Sequence, residues 1–165
     1  MRRPEPLVPG PGQESVWDYP RPPRVERVDE RVTILLGGAL IADTDDAVRV
    51  LETSHPPVYY LPIADFAPAA LVAAAGTSFC EFKGAARYFD VHGGGVMRPA
   101  AAWTYPDPSP GFDALVGRVA VYAAPMDECT VGGEIVTPQP GGLYGGWVTS
   151  RVVGPFKGIP GSMGW

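Results

Sequence analysis

Apolar positions in this chain come in short runs, and their spacing predicts strands joined by tight turns. Val32-Thr33-Ile34-Leu35-Leu36 and Ala39-Leu40-Ile41-Ala42 flank Gly37-Gly38. Two β-prone runs joined by a two-residue glycine turn predict a hairpin, because glycine supplies the positive φ of a primed turn. The same pattern recurs where Thr130-Val131 and Glu134-Ile135-Val136 flank Gly132-Gly133. Val58-Tyr59-Tyr60-Leu61 and Arg118-Val119-Ala120-Val121-Tyr122 read as further strands. His92-Gly93-Gly94-Gly95 turns the chain into a run that ends Ala102-Trp103-Thr104-Tyr105.

Between Thr77 and Val91 the alternation predicts another hairpin, turning at Gly84-Ala85. With a two-residue turn, Glu81 lies opposite Tyr88 and Cys80 opposite Phe89. One face then carries Cys80, Phe82, Phe89 and Val91, with Arg87 as its misfit. The other carries Glu81, Lys83, Tyr88 and Asp90, with Phe79 as the apolar exception. A slip of one residue would exchange the two faces.

Two segments carry a helical period instead. Asp43-Thr44-Asp45-Asp46 stands before Ala47, Val50 and Leu51, an acidic cap ahead of i, i+3, i+4 apolar spacing, and Pro56-Pro57 ends it. Pro68 to Ala75 is alanine-rich, with a proline where a first turn tolerates one and Gly76 as a stop. A further helical turn is expected at Phe112–Val116. The expectation is a mostly β fold of roughly seven to nine strands with two or three short helices, a small antiparallel barrel or folded sheet closed to protect its edges.

Composition changes this picture little. The 21 glycines and 20 prolines punctuate apolar runs and so mark turns, not low complexity. With a net charge of −5 and no basic run, the chain lacks the patch that neutralises nucleic-acid phosphates. Arg2-Arg3 runs into prolines without an apolar segment, which argues against a secretory or twin-arginine signal. Phe66 to Ala75 is too short to span a membrane. These readings place the protein in the cytoplasm with no membrane or nucleic-acid partner. Residues 1–14 are expected to be a flexible arm and 15–140 a single β domain. The glycine-rich 141–165, with Tyr144, Trp147, Phe156 and Trp165, is expected to be a strap packed on that domain, since disordered segments are poor in aromatics.

Candidate chemistry is sparse. Cys80 and Cys129 read as buried thiols, and His55 and His92 are isolated, so the four converging ligands of a zinc site are missing. No cofactor is expected. Glu81 and Lys83, i and i+2 on one strand, could serve as acid and base if buried, or be an exposed ion pair. Tyr60, Tyr88, Trp103 and Tyr105 could wall a ligand cleft or simply fill a core. Glu52 and His55 could reach the same cleft, while Arg87 and Lys157 are weaker anion-binding candidates. Phe82-Lys83-Gly84 is echoed by Phe156-Lys157-Gly158, and Trp17-Asp18-Tyr19-Pro20 by Trp103-Thr104-Tyr105-Pro106, without a repeat period.

One ordered set of motifs is distinctive. It runs from Glu52 and Pro57-Val58-Tyr59-Tyr60 through Cys80-Glu81-Phe82-Lys83-Gly84, Ala86-Arg87-Tyr88-Phe89 and Ala102-Trp103-Thr104-Tyr105 to Arg118-Val119-Ala120-Val121-Tyr122 and Met126-Asp127. Across about residues 31–136 the chain thereby resembles the domain-of-unknown-function family 427. The resemblance implies a small, mostly β domain similar in topology to the zinc-binding β-tent group, which includes methionine-sulfoxide reductase B and cereblon's ligand-binding domain. The zinc ligands of that group come as two CxxC pairs, which this sequence lacks. The family also carries a nucleotidyltransferase-like label. Such an enzyme needs clustered carboxylates for magnesium and donors for phosphates, whereas Asp43, Asp45 and Asp46 read more simply as helix-start acids. The favoured expectation is a metal-free domain that takes a small molecule or short modified peptide into an aromatic-walled cleft. The alternatives are a transferase or hydrolase built on Glu81 and Lys83, and a protein interaction module. Self-association as a homodimer stays open.

Overall fold

The computed structural model describes residues 3–165. Its strands are short and all but one pairing is antiparallel. The first seven are β1 (Glu14–Ser15), β2 (Arg24–Arg27), β3 (Val32–Leu36), β4 (Ala39–Thr44), β5 (Val48–Leu51), β6 (Val58–Pro62) and β7 (Leu71–Cys80). Then follow β8 (Gly84–Gly93), β9 (Val96–Thr104), β10 (Arg118–Val121), β11 (Glu128–Val131), β12 (Glu134–Ile135), β13 (Thr137–Pro138), β14 (Trp147–Val148) and β15 (Val152–Val153).

Seven strands form one sheet in the order β2-β5-β6-β10-β9-β8-β7, and four form another in the order β12-β11-β3-β4. The sheets are open. A closed barrel is therefore not formed: β2 and β7 remain edges, the first lined by Arg24, Glu26 and Arg27, the second bulged between Ala73 and Thr77. Charge and bulges are the usual ways to keep an edge from pairing with another chain.

Helical content is smaller than the pattern predicted. Among the described residues it consists of three single 3-10 turns at Val16–Asp18, Ile63–Asp65 and Asp113–Leu115, the last within the expected Phe112–Val116. The expected helix after Asp43 is instead the end of β4, a turn and β5. Thr44 Oγ1 does accept the Asp46 N–H at 2.9 Å, but two residues ahead, as a turn and not a helix cap. Val48 and Val50 then share one face of a strand, pairing with Tyr60 and Val58. The expected helix at Pro68–Ala75 is also a strand: Leu71, Val72 and Ala73 pair with Val91, Asp90 and Phe89. Tertiary pairing overrides alanine's helix propensity here. Gly76, with φ +96°, belongs to the bulged stretch between Ala73 and Thr77.

The glycine turns form as predicted. Gly37 and Gly38 take φ +60° and +77°, and Gly132 and Gly133 +58° and +82°. Gly37 has a second duty. A Cβ on Gly94 of the β8–β9 turn would sit 1.9 Å from the Gly37 carbonyl oxygen, so these two hairpin ends meet backbone to backbone.

The main core lies between the four-stranded sheet and one face of the seven-stranded sheet. Val32, Ile34 and Leu36 of β3 meet Leu61, Val91, Ala102, Val119 and Val121 there. Trp147, 1% exposed, joins this core from the C-terminal segment, stacking on Tyr59 at 5.2 Å and donating its indole N–H to the Val121 carbonyl at 3.0 Å. A separate cluster holds Val16, Trp17 and Tyr19 against Val152, Phe156 and Trp165, and β1 pairs in parallel with β15. Among the described residues no helix is long and apolar enough to cross a membrane.

Candidate functional site

Strand alternation gives the seven-stranded sheet a second face. Tyr59, Leu61, Ala102, Val119 and Val121 point into the core, so Val58, Tyr60, Trp103 and Ala120 point the other way. The registers align them: Val50 with Val58, Val48 with Tyr60, Trp103 with both Tyr88 and Ala120. This second face is the floor of a cavity of about 340 Å³.

Aromatic side chains make its walls. Tyr60, Tyr88 and Trp103 rise from the sheet, Tyr105 and Tyr122 directly follow β9 and β10, and Phe82 and Tyr144 come from connecting segments. Trp103 and Tyr122 lie 4.6 Å apart between ring centres, tilted by 46°, and Tyr60 and Tyr105 lie 6.4 Å apart. Burial pushes the phenols of Tyr60, Tyr105 and Tyr122 upward, that of Tyr60 well above its usual range. All three therefore present neutral hydroxyls. Tyr88 shares a 2.7 Å hydrogen bond with Ser78, which fixes its ring at the cavity edge.

The polar candidates Glu52, His55, Glu81 and Lys83 line the same cavity, but two of them arrive by a different route from the one predicted. The β7–β8 turn consists of Glu81, Phe82 and Lys83, and Cys80 pairs with Gly84. The expected pairing of Glu81 with Tyr88 and Cys80 with Phe89 is therefore wrong. Gly84, at φ +104°, adopts a positive-φ conformation that glycine takes without strain, and it starts β8. The faces are re-sorted in consequence. Cys80 and Phe82 join Tyr88 on the cavity side, while Phe89 and Val91 go to the core. Arg87 is not at the site: it is exposed one step from Tyr88, beside Ile63, Thr104 and Pro106.

His55 sits where the chain leaves β5. Its Nδ1 is 3.0 Å from the Thr53 carbonyl, so Nδ1–H donates and Nε2 is the acceptor. Glu52 Oε2 lies 3.7 Å from the same Nδ1 and 3.3 Å from Arg21. Burial pushes the imidazole below its usual range; the Glu52 charge opposes this, and Lys157 and Arg21 add to it. The Tyr144 ring meets His55 edge-on at 5.1 Å.

Several cavity residues escaped the sequence reading. Tyr122 could have been found, because it follows Ala120 by two on a predicted strand. Tyr144, Gly145 and Gln139 could not, since only the return of the C-terminal segment over the sheet brings them there. Gln139 anchors that segment, accepting the Gly146 N–H at 3.0 Å and donating to the Lys157 carbonyl at 2.9 Å.

A second concavity, of about 300 Å³, is charged but self-satisfied. Arg49 is held by Glu14 and Glu26 at 2.7 Å each, and Arg151 pairs with Glu30. Its charges tie the chain termini to the sheet and leave little to offer a ligand.

Zinc does not fit these residues. Cys80 lies at the aromatic cavity, whereas Cys129 lies in the core on β11, where burial pushes its thiol up to about 12. Among the described residues no three His, Cys, Asp or Glu side chains group as metal ligands. Of the acids at the end of β4 and just after it, Asp43 is paired with Arg31, and Asp46 with Arg118 at 3.1 Å.

The model of the family described as Domain of unknown function (DUF427) matches residues 24–132, which include β2 to β11 and most of the cavity floor. The chain belongs to the DUF427 family. Both edge strands of the seven-stranded sheet lie within the match, whereas Gln139, Tyr144 and Lys157 lie beyond it. The DUF427 domain of this chain thus supplies the sheet, and the segment after it supplies the wall that covers the sheet. No curated protein matches the chain.

Proposed function

We propose that this DUF427 chain is a binding domain that takes a small molecule or a short modified peptide into the aromatic cavity. One observation carries the reading. The seven-stranded sheet buries one face in the main core, and its other face, although Phe112 and Leu115 share a second buried apolar cluster there with Tyr60, Trp103 and Tyr105, still leaves an aromatic-walled space beneath the segment that carries Tyr144 and Gly145. A concave space of this size, walled by aromatic rings and carrying convergent polar groups, is a common form of small-molecule site. Glu52, His55, Glu81 and Lys83 are those polar groups, and Tyr60, Tyr88, Trp103 and Tyr105 are the walls.

The enzymatic alternative loses its geometric premise. It placed Glu81 and Lys83 two apart on one strand face, whereas they flank Phe82 in an irregular turn with Glu81 exposed. The binding reading is tested by screening ring-bearing fragments for thermal stabilisation of the intact chain, since a ligand that binds only the folded state raises its stability. Fragments that act on the parent should lose their effect in Tyr122→Ala and Tyr144→Ala. Fragments that stabilise parent and variants equally would place binding elsewhere and overturn the reading.

A further inference from the structure

Of the thirteen basic residues in the chain only two are lysines, Lys83 and Lys157; the other eleven are arginines. Both lysines line the aromatic cavity. Each is the middle residue of a Phe-Lys-Gly segment, and the two segments lie far apart in sequence. Lys83 Nζ stands 5.9 Å from the centre of the Tyr105 ring, and Lys157 Nζ 5.4 Å from that of Tyr144.

The arginines are used differently. Arg21, Arg24, Arg27, Arg31, Arg49, Arg118 and Arg151 all form ion pairs with carboxylates, and neither lysine takes part in any ion pair among the described residues. At the cavity itself Glu52 is engaged by Arg21 and Glu81 is exposed, while Lys157 donates only to the Trp165 main-chain oxygen at 3.2 Å. Neither ammonium group at this site is held by an Asp or Glu side chain. A lysine differs from an arginine in being a compact point charge with three rotatable donors, suited to meeting an anion from more than one direction. A cationic ligand would have to displace two ammonium groups from the faces of Tyr105 and Tyr144, which they already occupy.

We propose, resting on the binding reading above, that the ligand of this cavity is a planar anion: an aromatic or conjugated ring bearing a carboxylate or a phosphate. The ring lies among Trp103, Tyr105 and Tyr122, and the anionic group is met by Lys83 and Lys157. Neutral tyrosine hydroxyls at the walls add donors and no competing negative charge.

The test uses four probes with one ring system, naphthalene carrying a carboxylate, a phosphate, a hydroxymethyl or a trimethylammonium group. Each is titrated calorimetrically into the full chain and into Lys83→Met, Lys157→Met and the double variant, with folding checked by circular dichroism. At least one anion should bind the parent more tightly than the neutral probe by about tenfold, the scale of one or two charge-assisted hydrogen bonds. The cation should bind most weakly. The double variant should hold the anions no better than the neutral probe, and comparison of carboxylate with phosphate identifies the head group. Equal binding of neutral and anionic probes, a preference for the cation, or an anion preference that survives in the double variant would overturn the planar-anion proposal while leaving the cavity a binding site. Failure of all four probes to bind would overturn both.

Discussion

Gly145 lies flat against the indole of Trp103: a Cβ built on it would fall 2.1 Å from Cη2 of that ring. The C-terminal segment can roof the aromatic cavity only because this position has no side chain. Gly145→Ala should therefore push Trp103 or the roof out of place. An overpacked contact of this kind costs about 1–3 kcal/mol, read by urea denaturation, and ligand binding should weaken with it. A variant as stable as the parent and with unchanged binding would show that the roof is loosely held.

The segment after the family match also anchors the core. Trp147 is almost fully buried, stacked on Tyr59 and bonded to the Val121 carbonyl. Trp147→Ala should cost about 3–5 kcal/mol, the range for deleting a large buried aromatic. A loss below about 1 kcal/mol, typical of surface positions, would mean that the segment docks without supporting the sheet.

His55 gives a pH dependence of defined sign. Burial lowers its folded-state affinity for a proton relative to the usual value of 6.5, so the unfolded chain binds the proton more tightly. The stabilisation is complete above the usual value and is lost as pH falls through the lowered one. Stability measured in urea should decline as pH falls below the usual imidazole value of 6.5, and His55→Asn should flatten that decline. An equal slope in parent and variant would assign it to other groups.

Chelation should leave the fold intact. Cys80 and Cys129 occupy different environments and no ligand set converges among the described residues. The melting temperature should be the same with and without EDTA; a fall on chelation would reveal a structural metal.

Which parts of this molecule could be read from its sequence follows from how local each signal is. The Gly37-Gly38 and Gly132-Gly133 hairpins were legible because the turn residue itself dictates the geometry. The common face of Trp103 and Tyr105 followed from strand parity alone. Glu81 and Lys83 line the same cavity as the aromatics, but not through a shared strand face: the turn starts earlier than Gly84-Ala85, and they reach the cavity from its rim. The alanine run before Gly76 misled because its propensity is local and its pairing with β8 is not. Tyr144 and Lys157 depend on a chain return that no periodicity encodes. The Phe-Lys-Gly echo is a local sequence feature, and only the fold gives it a place.

Residue-resolved NMR titration should locate the ligand on the aromatic face of the seven-stranded sheet. Naphthalene carboxylate added to the labelled chain should shift the signals of Tyr60, Trp103, Tyr105, Tyr122 and Tyr144, together with the Lys83 and Lys157 turns. Shifts confined to the charged concavity around Arg49, or scattered over the surface without saturation, would contradict it.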